Sequence, residues 1–237
     1  MLSPKMISDE NPQNIRIKFR KVGMLRYISH LDLQRTFAKV IVRSGIPAWY
    51  TKGFNPHAKL VFALPLSIGT QSECELLDIR LSRYMSCDEV KERLNSVLTD
   101  ELSVIDVYEP ESKFQDIGYA KYEINIVTNG ASDDMADNIR ALFSKKPILM
   151  FKHTKSGEKE IDIAPLIDTL NVSYDGECDL IRLSATLSAT SENYLSPEML
   201  ITAMKDSLEI LSTDIMSENY TIMRTALYLA DGKTEFK

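Results

Sequence analysis

The stretch Asn14–Val22 alternates so regularly that it leaves little structural choice. Ile15, Ile17 and Phe19 fall on one side, and Arg16, Lys18 and Arg20 on the other. That is the period of a strand with one buried and one solvated face. Gly23–Tyr27 reads as a turn, and a helix is predicted from about His30 to Ser44. Ser29 is its N-cap, and Asp32, three residues on, completes an S-x-x-[DE] capping arrangement. Gly45 and Pro47 stop it. Leu33, Phe37, Val40 and Ile41 make one apolar stripe, with Arg35, Lys39 and Arg43 as a basic stripe opposite. A half-buried strand followed at once by an amphipathic helix begins a layered α+β domain.

The same logic carries along the chain. Ala48–Tyr50, Lys59–Leu64 and Glu73–Leu81 read as strands. Ser86 caps a helix running to about Leu98, with Glu89 at the capping-box position, and Leu102–Tyr108 is a strand. Beyond a polar segment, Tyr119–Val127 is a strand, Ala131–Ser144 a helix, and Pro147–His153 and Leu180–Leu187 are strands. Ser196-Pro197-Glu198 starts a helix, and Thr221–Leu229 closes as a strand. Each half approximates β-α-β-β-α-β, so the expected fold is α+β with tandem ferredoxin-like domains. The expected organisation is a flexible tail over residues 1–13, a basic domain over 14–109, a linker over 110–118 and an acidic domain over 119–237.

Composition narrows the class. The 237 residues are 44% hydrophobic and 26% charged, values typical of a globular protein. No run approaches the ~18 apolar residues of a membrane span, and Met1–Gln13 lacks the apolar core of a signal peptide. The expected location is the cytoplasm, with no membrane association. Cys74, Cys87 and Cys178 form no C-x-x-C pair and read as buried small hydrophobes, so no disulfide framework, metal site or cofactor is expected.

Net charge is −6, but its distribution is uneven. Residues 14–60 hold ten Lys or Arg and the single acid Asp32, a balance of +9, whereas residues 61–237 carry −14. Either one face attracts polyanions, or opposite charges pair across the fold. The same basic segment concentrates His30, His57, the only tryptophan (Trp49), and Tyr27, Tyr50 and Phe54. Arg26-Tyr27-x-Ser29-His30-x-Asp32 precedes the helix and Gly53-Phe54-Asn55-Pro56-His57-x-Lys59 follows it, so the two clusters are expected to converge at one end of this unit.

These residues resemble a known bacterial family, the radical-SAM-linked proteins. The matching positions are Lys21, Gly23, Leu25, Arg26, Tyr27, Ser29, His30, Leu31 and Asp32, then Tyr50, Gly53, Phe54, Asn55, Pro56, His57, Lys59, Phe62, Ala63, Pro65, Leu66 and Gly69. Thr51 stands where Ser is usual and Ala58 where Pro is usual. A weaker second match is Ile161-Asp162-Ile163-x-Pro165, with Ala164 in place of the usual Arg. The family is a domain of unknown function. The resemblance implies association with a radical SAM protein, not radical SAM chemistry here, because the C-x-x-x-C-x-x-C cluster ligands are absent.

Three functions remain open from the residues. The first is an accessory module that binds structured RNA or another polyanion and cooperates with the radical SAM partner. Its binding set would be Arg26, Tyr27, Ser29, His30, Arg35, Tyr50, Lys52, Gly53, Phe54, Asn55, His57 and Lys59. The bases of the Arg16–Arg20 strand face would add phosphate contacts. The second is a metal-independent endoribonuclease with His30 and His57 as catalytic acid and base. The tandem domain order is similar to that of CRISPR repeat-processing endoribonucleases, a likeness of architecture alone. The third is a protein–protein adaptor whose basic patch meets an acidic partner.

Overall fold

In the computed structural model, residues 12–154, 157–208, 210–211 and 217–237 are described. Most of the expected tail, and the side chain of His153, lie outside the described residues. The chain divides into two compact units, one up to Phe114 with Lys237, the other from Gln115 to Phe236. Mixed α+β structure with antiparallel strand pairing is present in both.

The first unit begins with β1 (Gln13–Lys21), a short 3-10 turn over Gly23–Tyr27 and α1 (His30–Arg43). It continues with β2 (Val61–Phe62), β3 (Thr70–Leu81), α2 (Cys87–Asn95) and β4 (Leu102–Tyr108). β1 lies between β4 and β3, and β2 pairs with β3. Leu33, Phe37, Val40 and Ile41 of α1 are buried against Ile15, Ile17 and Phe19, as the two periodicities require. The Phe19 and Phe37 rings sit 4.7 Å apart, and both approach Phe62. The caps form as expected. Ser29 accepts from the Asp32 amide at 3.1 Å and Ser86 from the Glu89 amide at 3.2 Å.

The second unit contains β5 (Ile117–Val127), α3 (Asp133–Ser144), β6 (Leu149–Thr154), β7 (Gly157–Asp162), β8 (Ile167–Asp175), β9 (Leu180–Ser188), α4 (Glu198–Leu208) and β10 (Asn219–Leu229). Its sheet order is β10-β5-β9-β8.

Several expectations need correction. The segment expected as the second sheet strand of this unit, Pro147–His153, instead pairs with β7 in a separate hairpin, and β8 takes its place in the sheet. Alternation alone does not name a strand's partner, and Ile167, Leu170 and Val172 of β8 are spaced too irregularly to read as one face. Ala48–Tyr50 contributes isolated bridges rather than a strand, to Leu81 and Ala58. Lys59–Leu64 shortens to Val61–Phe62, and α2 ends at Asn95 instead of Leu98. Cys74 is buried as expected, but Cys87 is only partly buried and Cys178 is exposed.

The largest correction concerns the strand face of β1. Arg16 is not a solvated base: it is fully buried. Its guanidinium donates to both carboxylate oxygens of Asp78 at 2.7 and 2.8 Å and to the Ser112 carbonyl at 2.9 Å, and stacks 4.3 Å from the Phe114 ring centroid. Arg20 donates to the Asp100 carbonyl at 2.9 Å and the Ser103 hydroxyl at 2.8 Å. Here an internal ion pair neutralises Arg16, and internal hydrogen bonds hold Arg20 to the sheet. Ser112 and Phe114, from the segment 110–118 expected as linker, cover Arg16 on this face.

Candidate functional site

The first motif cluster is held by backbone geometry. Gly23 adopts a φ of 60°, and its amide donates to the Gln71 side chain at 2.8 Å. The positive φ favours glycine, and a Cβ there would push the Glu101 carboxylate aside. The Arg26 carbonyl accepts from the Gly69 amide at 2.9 Å, which joins this turn to the start of β3. The Arg26 guanidinium is thereby presented beside Tyr27: it lies 4.8 Å from the ring centroid and donates to the phenol oxygen at 2.9 Å. Tyr27 is half exposed, as are Met24, Leu31 and Ile68. Nothing in the sequence marks these last three as surface features, since apolar side chains in this pattern read equally well as core.

Ser29 and Asp32 act as caps. The Ser29 hydroxyl donates to the Asp32 carboxylate at 2.7 Å, and that bond holds the Asp32 carboxyl below its usual range. Arg35 adds an ion pair with Asp32 at 3.3 Å on an exposed face, where solvent screens it. His30 begins α1. Its ring packs edge-on against Phe62 at 5.3 Å, and the Gln34 amide approaches Nε2 at 2.9 Å.

The second cluster is a tied loop. Thr51 N–H donates to the His57 carbonyl at 3.0 Å, His57 N–H donates to the Thr51 hydroxyl at 3.2 Å, and Tyr50 bridges Ala58. His57 Nδ1 lies 3.1 Å from the Asn55 carbonyl and 3.2 Å from the Thr51 hydroxyl. Thr51, the departure from the usual Ser, keeps the hydroxyl that closes the loop. Lys52, Gly53, Phe54 and Asn55 are held out by this closure: all are exposed, and the Phe54 ring is wholly in solvent. Gly53 has a φ of 153°.

Among the described residues, no hydrogen bond or ring contact joins His30 to His57. No group of three or more His, Cys, Asp or Glu side chains is arranged to hold a metal among the described residues. Lys59 leaves the loop and lines a cleft of about 490 Å³ with Asp78, Arg80 and Lys113. Lys113 and Arg80 had no signal in the sequence, because their roles follow from where the 110–114 segment is laid. The second motif, Ile161–Pro165, is a clasp. Asp162 Oδ1 accepts from the amides of Ile148 at 2.9 Å and Ala164 at 3.0 Å, and Ile163 is fully buried.

The geometry defines a class first: an α+β protein of two sheet-and-helix units, whose first unit exposes a basic and aromatic motif surface. The chain belongs to the family described as "Uncharacterized protein conserved in bacteria (DUF2344)", whose model matches residues 14–197. No curated protein matches it. Among solved structures it is similar to a candidate glycine cleavage system transcriptional repressor. Identity is 10%, with 90% of this chain and 98% of that chain covered, and the TM-score of 0.24 is too low to bear on fold or function. Among the described residues, no helix is long and apolar enough to cross a membrane.

Proposed function

We propose that the first unit is a non-catalytic RNA-binding module that works with a radical SAM partner. The observation that carries this reading is the closed Thr51–His57 loop, which holds Phe54 wholly in solvent beside the exposed Lys52. Folding alone gives no reason to expose a phenyl ring that fully. An exposed ring next to a cation suits an unstacked base and its phosphate. The half-exposed Tyr27, stacked with Arg26, repeats that combination. The basic stripe Arg35, Lys39 and Arg43 stays exposed on α1 and would steer a polyanion toward the unit. The partner is inferred from the motif resemblance.

In the same reading both units are ferredoxin-like. The orders β4-β1-β3-β2 and β10-β5-β9-β8 support this, each with two helices in β-α-β-β-α-β sequence around the inserted β6–β7 hairpin. The test is binding of short single-stranded and hairpin RNAs to the full chain at low salt, with and without the Tyr27→Ala and Phe54→Ala changes. Binding that weakens in both variants supports the module. No binding, or binding indifferent to both rings, removes RNA and leaves the adaptor. Cleavage in the presence of chelator that is abolished by His57→Ala would make the protein an endoribonuclease instead.

A further inference from the structure

The cleft beside Lys59 has a chemistry that the loop surface lacks. Its volume, about 490 Å³, falls within the ~300–1,000 Å³ of small-molecule sites. Lys59 enters from the residues before β2, Arg80 from β3, and Lys113 from the segment that covers Arg16. Two carboxylates also line it, Asp78 and Glu111. Asp78 is already matched by the bidentate Arg16, so Lys59 and Arg80 outnumber the remaining carboxylate, Glu111, even with Lys113 left out of the count.

Between the charges lie apolar surfaces, including Val61 and Phe114. One face of the Phe114 ring is covered by the Arg16 guanidinium at 4.3 Å, which fixes the ring's orientation. A bare phosphate has no use for apolar walls, and an apolar ligand has none for the cations. A flat heterocycle bearing a phosphate uses both, the base against aromatic or guanidinium planes and the phosphate on lysine.

We infer that this cleft binds one nucleotide unit, a nucleoside 5′-phosphate held by Lys59, Arg80 and Lys113. The inference does not require the loop to bind RNA. The unit is supplied either as a free mononucleotide or as one residue of a single strand. In the second case it deepens the module reading, because Lys59 belongs to the same motif as Phe54.

The protein carries its own reporter. Arg80 sits 5.8 Å from the ring centroid of Trp49, the only tryptophan, so a ligand that moves Arg80 changes tryptophan emission. The full chain is titrated with AMP, GMP, CMP and UMP, and separately with a short single-stranded RNA. Emission and calorimetry are read for the parent, Lys59→Glu, Lys113→Glu and Arg83→Glu. Arg83 is an exposed base just after β3 that does not line the cleft. The expected result is a nucleotide-dependent emission change, with affinity lowered about tenfold or more by each cleft reversal and far less by Arg83→Glu.

Mononucleotide binding with this pattern and no RNA binding makes free nucleotide the source, and it sinks the module reading alone. RNA binding with this pattern and no mononucleotide binding makes the strand the source. RNA binding that depends on Phe54 but ignores Lys59 and Lys113 keeps the module and overturns the cleft. Equal losses from Arg83→Glu and Lys59→Glu also overturn it, since a diffuse field would then explain both. No binding of either ligand overturns both readings.

Discussion

Arg16 and Asp78 face each other across β1 and β3 and close a two-bond ion pair at 2.7 and 2.8 Å, with the Arg16 side chain 1% and the Asp78 side chain 28% exposed. The arginine of an apparently solvated strand face is therefore a structural group under the 110–114 segment.

This pair predicts an asymmetry. Asp78→Ala leaves a buried guanidinium without its carboxylate and should cost about 2–4 kcal/mol, somewhat below a fully enclosed pair because Asp78 keeps some access to water. Arg16→Met together with Asp78→Leu should cost much less, since no charge is left stranded. Denaturant midpoints with an unchanged slope would measure both. A smaller loss for the single than for the double change would show that the pair is not what holds this face.

On α1, Ser29→Ala should cost about 1 kcal/mol through the lost cap. Phe37→Ala should cost roughly 3–5 kcal/mol, because Phe37 is fully buried against Phe19. Lys39→Ala should change stability little. Thermal or urea unfolding of the three variants tests the assigned faces of the helix, and a large loss at Lys39 would reverse them.

Gly23→Ala should destabilise by about 1–2 kcal/mol from the left-handed backbone alone. It should also displace the Glu101 carboxylate, which accepts from the Met24 amide at 3.3 Å. Amide exchange at Met24 should quicken in this variant. Unchanged exchange would mean that Glu101 does not hold the turn.

If the first unit binds single-stranded RNA, affinity falls with salt as counterions are released, at ~0.7 per contact. With Arg16 buried, Lys18 already partnered and Arg20 tied to β4, the bases carried forward are Arg26, Lys52, Lys59 and the α1 stripe. About 4–6 contacts give a log–log slope near −3 to −4, and Arg26→Ala with Lys52→Ala should flatten it by about 1.4. Titrations from low to physiological salt measure this, and a slope near zero excludes phosphate contacts.

Acid sensitivity has an identifiable source in the second unit. Asp231 accepts from the Thr234 hydroxyl at 2.5 Å and from the amides of Lys233 and Thr234 at 2.9 Å, and these bonds hold its carboxyl down to about 2. A folded value below the unfolded one adds stability that is complete above about pH 4 and lost as the pH falls toward 2. Asp231→Asn should therefore remove part of the decline in stability over that window and leave the trend above pH 5 unchanged. Unfolding midpoints against pH decide it, and identical acid limbs in the two proteins would assign the decline elsewhere.

Much of the first unit is determined locally. The alternation of Ile15, Ile17 and Phe19 and the spacing of Leu33, Phe37, Val40 and Ile41 specify which faces are buried, because period and burial are the same information. The Ser29 and Ser86 caps are likewise written within four residues. Tertiary structure decided what depends on partners distant in sequence. An arginine on an alternating strand reads the same whether water or the 110–114 segment covers it, so only the fold could bury Arg16 against Asp78. Hydrogen-bonding backbone carries no address, so only the sheet could admit β8 and leave β6 in a hairpin. His30 went to Phe62 and His57 to Thr51 and Asn55, and Lys59 went to a cleft with Arg80 and Lys113, because side-chain contacts across elements follow from packing rather than from spacing along the chain.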